Sequence, residues 1–342
     1  MGQRILVGIA AFVVVIAGLK SAASLVVPFL LAVFIAILCA PPLAWLKKYR
    51  VPSNLSILVI IVLVVVLLLI LASLLSNSVD GFSEQLPVYQ EKLEHRLVEA
   101  QHVLSNYGIA LPQDFVASNL NPKVIMGMVG NTLAGFGGML SNVFLIILTL
   151  LFILLEASTF PRKLQQISRS PGEAGLQAER IVESINRYMA IKVATSVATG
   201  FLVWFWLSVL GIDFPILWGL TAFLLNFVPT IGSIIAAAPA ILLAIVQTGF
   251  GDAMLVAGGY VVINVVIGSL VEPQFMGRNL GLSTLVVFLS LVFWGWVLGP
   301  VGMILSVPLT MTIKLALENN PNTRAIAIFL GTADKAETYA EN

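Results

Sequence analysis

Residues 57 to 75 read ILVIIVLVVVLLLILASLL, nineteen consecutive positions without a charge. As a helix this run is about 28 Å long, which matches the ~30 Å hydrocarbon core of a bilayer. Similar runs recur along the chain. Of its 342 residues 59% are hydrophobic and only 10% charged, whereas a soluble domain has about 25% charged residues. Mean hydropathy is +1.01. That much apolar surface does not fit inside a soluble core, so the solvent of this chain is lipid. The fold class expected is an all-α polytopic membrane protein with about eight membrane helical elements, two of them broken-helix or re-entrant hairpin regions.

The candidate spans are 5–19, 23–46, 54–76, 137–155, 191–210 and 253–271, with interrupted regions at 214–247 and 283–317. Ile5 to Leu19 leads through Lys20 and Ser21 into the next apolar run without a convincing cleavage site, so it reads as a retained helix. Each half of an interrupted region has roughly 15 residues, or about 22 Å, which suits either a thin span or one arm of a re-entrant hairpin. Basic residues set the orientation. Lys47, Lys48 and Arg50 follow the second span, and Arg162, Lys163, Arg169, Arg180, Arg187 and Lys192 follow the fourth. Two crossings separate these clusters, which places both, and by further counting both termini, in the cytoplasm. The segment between them carries an excess of Asp and Glu. It shows helical spacing through Leu86, Leu93, Leu97, Ala100, Leu104 and Tyr107, until Gly108 and Pro112 end the pattern. A surface helix resting on the bundle, or a lid or oligomer contact, fits that pattern. The segment 172–190 repeats it through Leu176, Ile181, Ile185 and Tyr188 and is expected along the cytoplasmic face. The resulting division is 1–76 (scaffold helices), 77–136 (outer amphipathic segment), 137–190 (fourth span and inner helix), 191–250 and 251–317 (two repeats), and 318–342 (tail).

The two interrupted regions follow spans of opposite direction and share a plan. The first reads Asn226-Phe227-Val228-Pro229-Thr230-Ile231-Gly232, with Pro239 further on. The second reads Val297-Leu298-Gly299-Pro300-Val301-Gly302, with Pro308 further on. Proline removes an amide donor and disrupts the turn before it; glycine permits tight reversal and close approach. Lipid offers no partner to the freed backbone groups, so such breaks belong against protein or a wet cavity. Inverted repeats with discontinuous helices recur in secondary transporters, with the solute site where the repeats meet.

Polar side chains at membrane depth are costly and therefore candidates for the solute pathway. They are Asn226, Thr230 and Ser233 at the first break, Asn264 within an apolar span, and Ser283 and Ser290 in the second region. Amides and hydroxyls suit a neutral, hydroxyl-rich solute better than a strong ion. For the serines and threonines a plain helix–helix hydrogen bond is the competing explanation. Glu156 and Glu272 end spans near the cytoplasmic interface. Glu272 with Arg278 makes a gate or coupling pair, or an interfacial ion pair.

Several chemistries lack their residues. Cys39 is the single cysteine, so no intrachain disulfide or cysteine-based zinc site is possible, and His95 and His102 have no metal-binding neighbours. A net charge of +1 argues against nucleic acid. GxxxxGK[ST], HExxH and GxSxG are absent, which leaves no support for nucleotide hydrolysis by a phosphate loop or for the commoner intramembrane hydrolases. No enzyme, cofactor or metal is called for.

The stretch EPQFMGRNLGLSTLVVFLSLVFWGWVLGPVGMILSVPL, from Glu272 to Leu309, resembles the signature of the AI-2E family of bacterial membrane transporters, also called the autoinducer-2 exporter or PerM-like family. NFVPTIGS (Asn226 to Ser233), VPFLLAVFIAILCAPP (Val27 to Pro42) and LFILLE (Leu151 to Glu156) match its other segments. The resemblance covers nearly the whole chain. It implies export of autoinducer-2, a furanone-derived polyol, from the inner membrane of a bacterium, a homo-oligomer that is a pentamer, and elevator-like movement of the broken repeats against the earlier helices. It also implies one rival, a sodium– or lithium–proton antiporter; an oligomeric channel or scaffold with no alternating access is a second rival that does not come from the resemblance. The resemblance supplies no settled site residues.

Overall fold

The computed structural model describes residues 2–106, 127, 130, 143–156, 173–229, 231–276, 282–318 and 323–331. Among these the regular structure is entirely helical. In chain order the helices are α1 (Gly2–Ser21), α2 (Ala23–Lys48), α3 (Ser53–Asn106), α4 (Val143–Glu156), α5 (Glu173–Val209), α6 (Pro215–Leu225), α7 (Ile231–Gln247), α8 (Phe250–Asn264), α9 (Glu272–Met276), α10 (Thr284–Glu318) and α11 (Arg324–Phe329). A π-helical segment, Val265–Val271, joins α8 to α9. Stretches of α2, α3, α5, α8 with its continuation, and α10 are each long and apolar enough to cross a membrane. Large apolar side chains such as Val62, Leu69, Phe152 and Val261 stand exposed on the outside of the bundle, as a protein solvated by lipid requires. The chain is an all-α polytopic membrane protein.

Two expected boundaries are not breaks in the backbone. The third span and the amphipathic segment after it form one 54-residue helix, α3. Nothing at Ser76-Asn77-Ser78 stops a helix, and Pro87 is accommodated within it. The inner amphipathic segment likewise runs without interruption into the fifth span as α5, 37 residues long. The far part of α3 rests on the bundle: Leu75, Phe82, Tyr89 and Leu93 are buried with Leu217, Trp218 and Leu243 of α6 and α7.

Both interrupted regions fold back on themselves. α6 and α7 return to the end from which they started, where the Asp213 backbone N–H donates to Gln247 Oε1 at 3.0 Å and Gln247 Nε2 donates to the Gly211 carbonyl at 3.1 Å. Between them Asn226 to Pro229 carries the break. Gly232 packs so tightly on the Leu225 carbonyl that a Cβ would overlap it. α10 is two helical limbs joined at Gly299, where φ is +71° and ψ −155°, a conformation that L side chains avoid. Pro300 then opens the return limb, where its missing N–H costs nothing. Gly302 sits against the Trp294 carbonyl as Gly232 does against Leu225. Trp294 Nε1 donates to Thr310 Oγ1 across the limbs at 3.0 Å, and Gly295 makes room for Met303. Pro239 and Pro308 lie buried inside α7 and α10, and the helices continue through them.

Candidate functional site

The site begins with how α5 meets α8. Gly200 of α5 and Gly219 of α6 lie backbone to backbone, each occupying the space a Cβ would need on the other. On its other side α5 pairs with α8 through Trp206 Nε1, which donates to the Leu255 carbonyl at 3.1 Å. Further down the same pair of helices, Lys192 Nζ donates to Glu272 Oε1 and Oε2 at 2.8 and 2.9 Å. These two links fix an antiparallel register that sets Ser196 and Thr199 of α5 level with Gly268 and Asn264.

α5 thereby presents a buried polar stripe at helical spacing: Tyr188, Lys192, Thr195, Ser196 and Thr199. The opposing strip comprises Tyr260, Asn264, Gly268 and Glu272. In an unbroken α-helix Glu272 would stand about 80° round from Asn264 after eight steps of 100°. The wider π turn winds the chain back and brings both to one cavity. Such π segments often mark functional positions.

The cavity, about 290 Å³, sets polar groups into a largely apolar wall. The first break contributes Asn226, Pro229 and Ser233; α8 and its continuation contribute Asn264, Ser269 and Glu272; α5 contributes Tyr188 and Lys192; and both limbs of α10 contribute one valine each, Val287 and Val307. Asn226 Nδ2 donates to Ser196 Oγ at 3.0 Å, which holds the start of the break on α5. Lys192 and Glu272 expose 6% and 15% of their side chains, so water screens their pairing poorly. Outside the cavity lining, Thr199 Oγ1 and Tyr260 Oη are buried without a hydrogen-bond partner among the described residues.

Of the polar residues singled out in the sequence, Asn226, Ser233, Asn264 and Glu272 converge on this cavity. Ser290 does not line it and donates to the Val287 carbonyl of its own helix at 2.8 Å. Ser283 starts α10, its hydroxyl accepting from the Val286 N–H at 3.3 Å. Glu156 ends α4, which packs on α2 and α3 away from the cavity. Thr230 and Arg278 fall outside the described residues. Among the described residues Glu272 therefore pairs with Lys192, a residue the sequence assigned to an interfacial basic cluster. Lys192, Tyr188, Ser196 and Ser269 were missed as site residues. The available signal was the spacing of Tyr188, Lys192, Ser196 and Thr199 along one face of α5.

A larger apolar crevice, about 500 Å³, lies between α3 and the α5–α6 crossing, lined by Leu67, Leu71, Phe201 and Leu220 among others. It has almost no polar surface and no chemistry to offer.

A family model described as "AI-2E family transporter" matches residues 9–322. The chain is 39% identical over 334 residues to the "AI-2 transport protein TqsA" of Escherichia coli (strain K12), covering 98% of this chain and 97% of that one. It is 42% identical over 338 residues to a putative transport protein of Haemophilus influenzae, with 97% of each covered. It is 34% identical over 330 residues to the putative transport protein YhhT of Escherichia coli (strain K12), covering 96% and 95%.

Proposed function

The chain belongs to the AI-2E transporter family, and on that premise we propose that it is a secondary transporter, or facilitated exporter, of a small polar signalling molecule, with autoinducer-2 as the solute. One observation carries the reading: amide, hydroxyl and charged side chains converge on one cavity where the first broken helix meets the π segment of α8 and the limbs of α10. Amide and hydroxyl groups from Asn226, Ser233, Asn264 and Ser269 suit a neutral polyol, and the similarity to TqsA, named for AI-2 transport, points to the same solute.

In this reading 191–250 and 251–317 are two inverted transport repeats. Pro229, Gly232, Gly299, Pro300 and Gly302 shape their broken helices, and Asn226, Ser233 and Asn264 contact solute. Thr230 adjoins the same break. The repeats move like an elevator against α1 to α4, in a pentamer of the bacterial inner membrane with both termini in the cytoplasm. The antiporter reading needs a carboxylate free to titrate or bind an ion, and Glu272 is engaged by Lys192.

Purified protein in liposomes tests the proposal. Saturable autoinducer-2 flux, above that of empty vesicles and competed by related polyols, is the expected outcome. Assembled protein that moves no autoinducer-2, yet exchanges sodium for protons, removes the solute assignment.

A further inference from the structure

We propose that Lys192 is a built-in counter-ion for Glu272, a tethered cation that makes solute movement through this site independent of sodium and proton gradients. The inference rests on the export reading for what the cavity carries, but not for how its charges are arranged.

Among the described residues Glu272 is the one carboxylate lining the cavity, and both of its oxygens are held by a single ammonium at 2.8 and 2.9 Å. The other groups facing the pair carry no formal charge. α5 adds the phenol of Tyr188, the one further titratable lining residue; the first break adds Asn226 and Ser233; α8 adds Asn264; and α10 adds only Val287 and Val307. Among the described residues the formal charges therefore cancel within the cavity.

A free cation would have to displace an ammonium tethered to the same wall, whose effective concentration a dissolved ion does not match. It would also leave the Lys192 ammonium buried and unpaired, which is more unfavourable than the pair it replaces, unless the ammonium released its proton in exchange. A proton on Glu272 leaves the same stranded ammonium. A neutral polyol avoids both penalties, because its hydroxyls donate to the carboxylate and accept from the ammonium without changing the sum of charges. Solute concentration alone then drives the cycle.

The test combines radioactive sodium binding to the purified, full-length protein, at neutral and alkaline pH, with autoinducer-2 flux in vesicles bathed in sodium, potassium or choline salts. The native protein is expected to show no saturable sodium binding and the same flux in all three media. Lys192→Gln frees the carboxylate: sodium binding appears at alkaline pH, and flux becomes dependent on sodium or pH by about tenfold. Lys192→Gln with Glu272→Gln returns to cation independence, and Lys192→Arg never leaves it. Saturable sodium binding by the native protein, with or without proton release, overturns the proposal. So does a correctly assembled Lys192→Gln protein that acquires neither sodium nor pH dependence. If Lys192→Gln does not assemble, the native protein's sodium binding decides alone. Native protein that moves no autoinducer-2 overturns the export reading instead, while the binding measurements still decide this one.

Discussion

Asn226 Nδ2 reaches Ser196 Oγ at 3.0 Å and lines the cavity at the same time. Asn226→Ala removes one hydrogen bond and one polar cavity group without touching the core. Flux should fall about three- to tenfold, the equivalent of a single hydrogen bond, while detergent-extracted protein elutes as the parent does and loses only about 1 kcal/mol of stability. Normal flux in well-assembled variant protein would remove this residue from the site. Glycines at the two breaks predict a different loss. A methyl at Gly232 or Gly302 would land on the carbonyl of Leu225 or Trp294, and relieving that overlap should destabilise by about 1–3 kcal/mol. Gly258→Ala is the control, since it has open space. Thermal unfolding of the three variants in one detergent checks the order. Residue type alone made Asn226, Asn264 and Glu272 suspects, because polar groups at membrane depth need a reason. Lys192 escaped because a lysine at the start of a span looks interfacial. Its partner lies 80 positions away, beyond the reach of any local pattern.

At the scale of elements, apolar runs marked the spans, and the Pro–Gly clusters marked where two of them turn back. Where a span ends was less legible. α3 and α5 each carry a membrane-facing stretch and an amphipathic stretch on one continuous helix, and both stretches share the same 3.6-residue period, so no signal divides them. What holds the far part of α3 is a set of contacts with the mouth of the first hairpin. Tyr89 Oη donates to Asp213 Oδ2 at 2.8 Å and lies 2.6 Å from Gln85 Oε1, while Phe82 packs edge-on against Phe214 and Trp218. Tyr89→Phe keeps the ring and deletes the hydroxyl. It should cost about 1 kcal/mol and loosen the hairpin mouth rather than unfold the helix. Amide exchange should therefore quicken around residues 211–214 and stay unchanged in the buried middle of α5. Uniform protection in the variant would mean that the aromatic packing alone holds α3 in place.

Among the described residues the helices share out several apolar cores, and two of them are joined by α3. Ala32, Ala36 and Cys39 of α2 pack with Ile57 and Ile60 of α3 and with Leu150 of α4. A second core gathers Leu75, Phe82 and Tyr89 of α3 with α5 to α8. α3 belongs to both, and between them its residues Leu67, Leu71 and Leu74 border the apolar crevice instead of a filled core. If the hairpins travel relative to α2 and α4, α3 has to bend in that loosely packed stretch, because its two ends are committed to different bodies. The surface that then slides lies on α2: Val26, Val27 and Leu30 against Trp294, Val297 and Leu298 at the tip of α10, and Phe34, Ile37 and Leu38 against Tyr188, Phe227 and Val307. On α2 that surface carries only apolar side chains and no hydrogen bond that would fix one position. Sequence showed which helices were broken but not which surface they ride on, since α2 is apolar on every side. The sliding surface sets the last prediction. In a Cys39→Ala background, Val27→Cys with Leu298→Cys joined by a short cross-linker should arrest flux. Either cysteine alone should leave it near the parent level, and a cleavable linker should restore it on reduction. Undiminished flux through fully cross-linked protein would mean that α2 and the α10 tip move together. The elevator would then have to run along a different surface, or the solute would have to cross a pathway that opens without moving the hairpin at all.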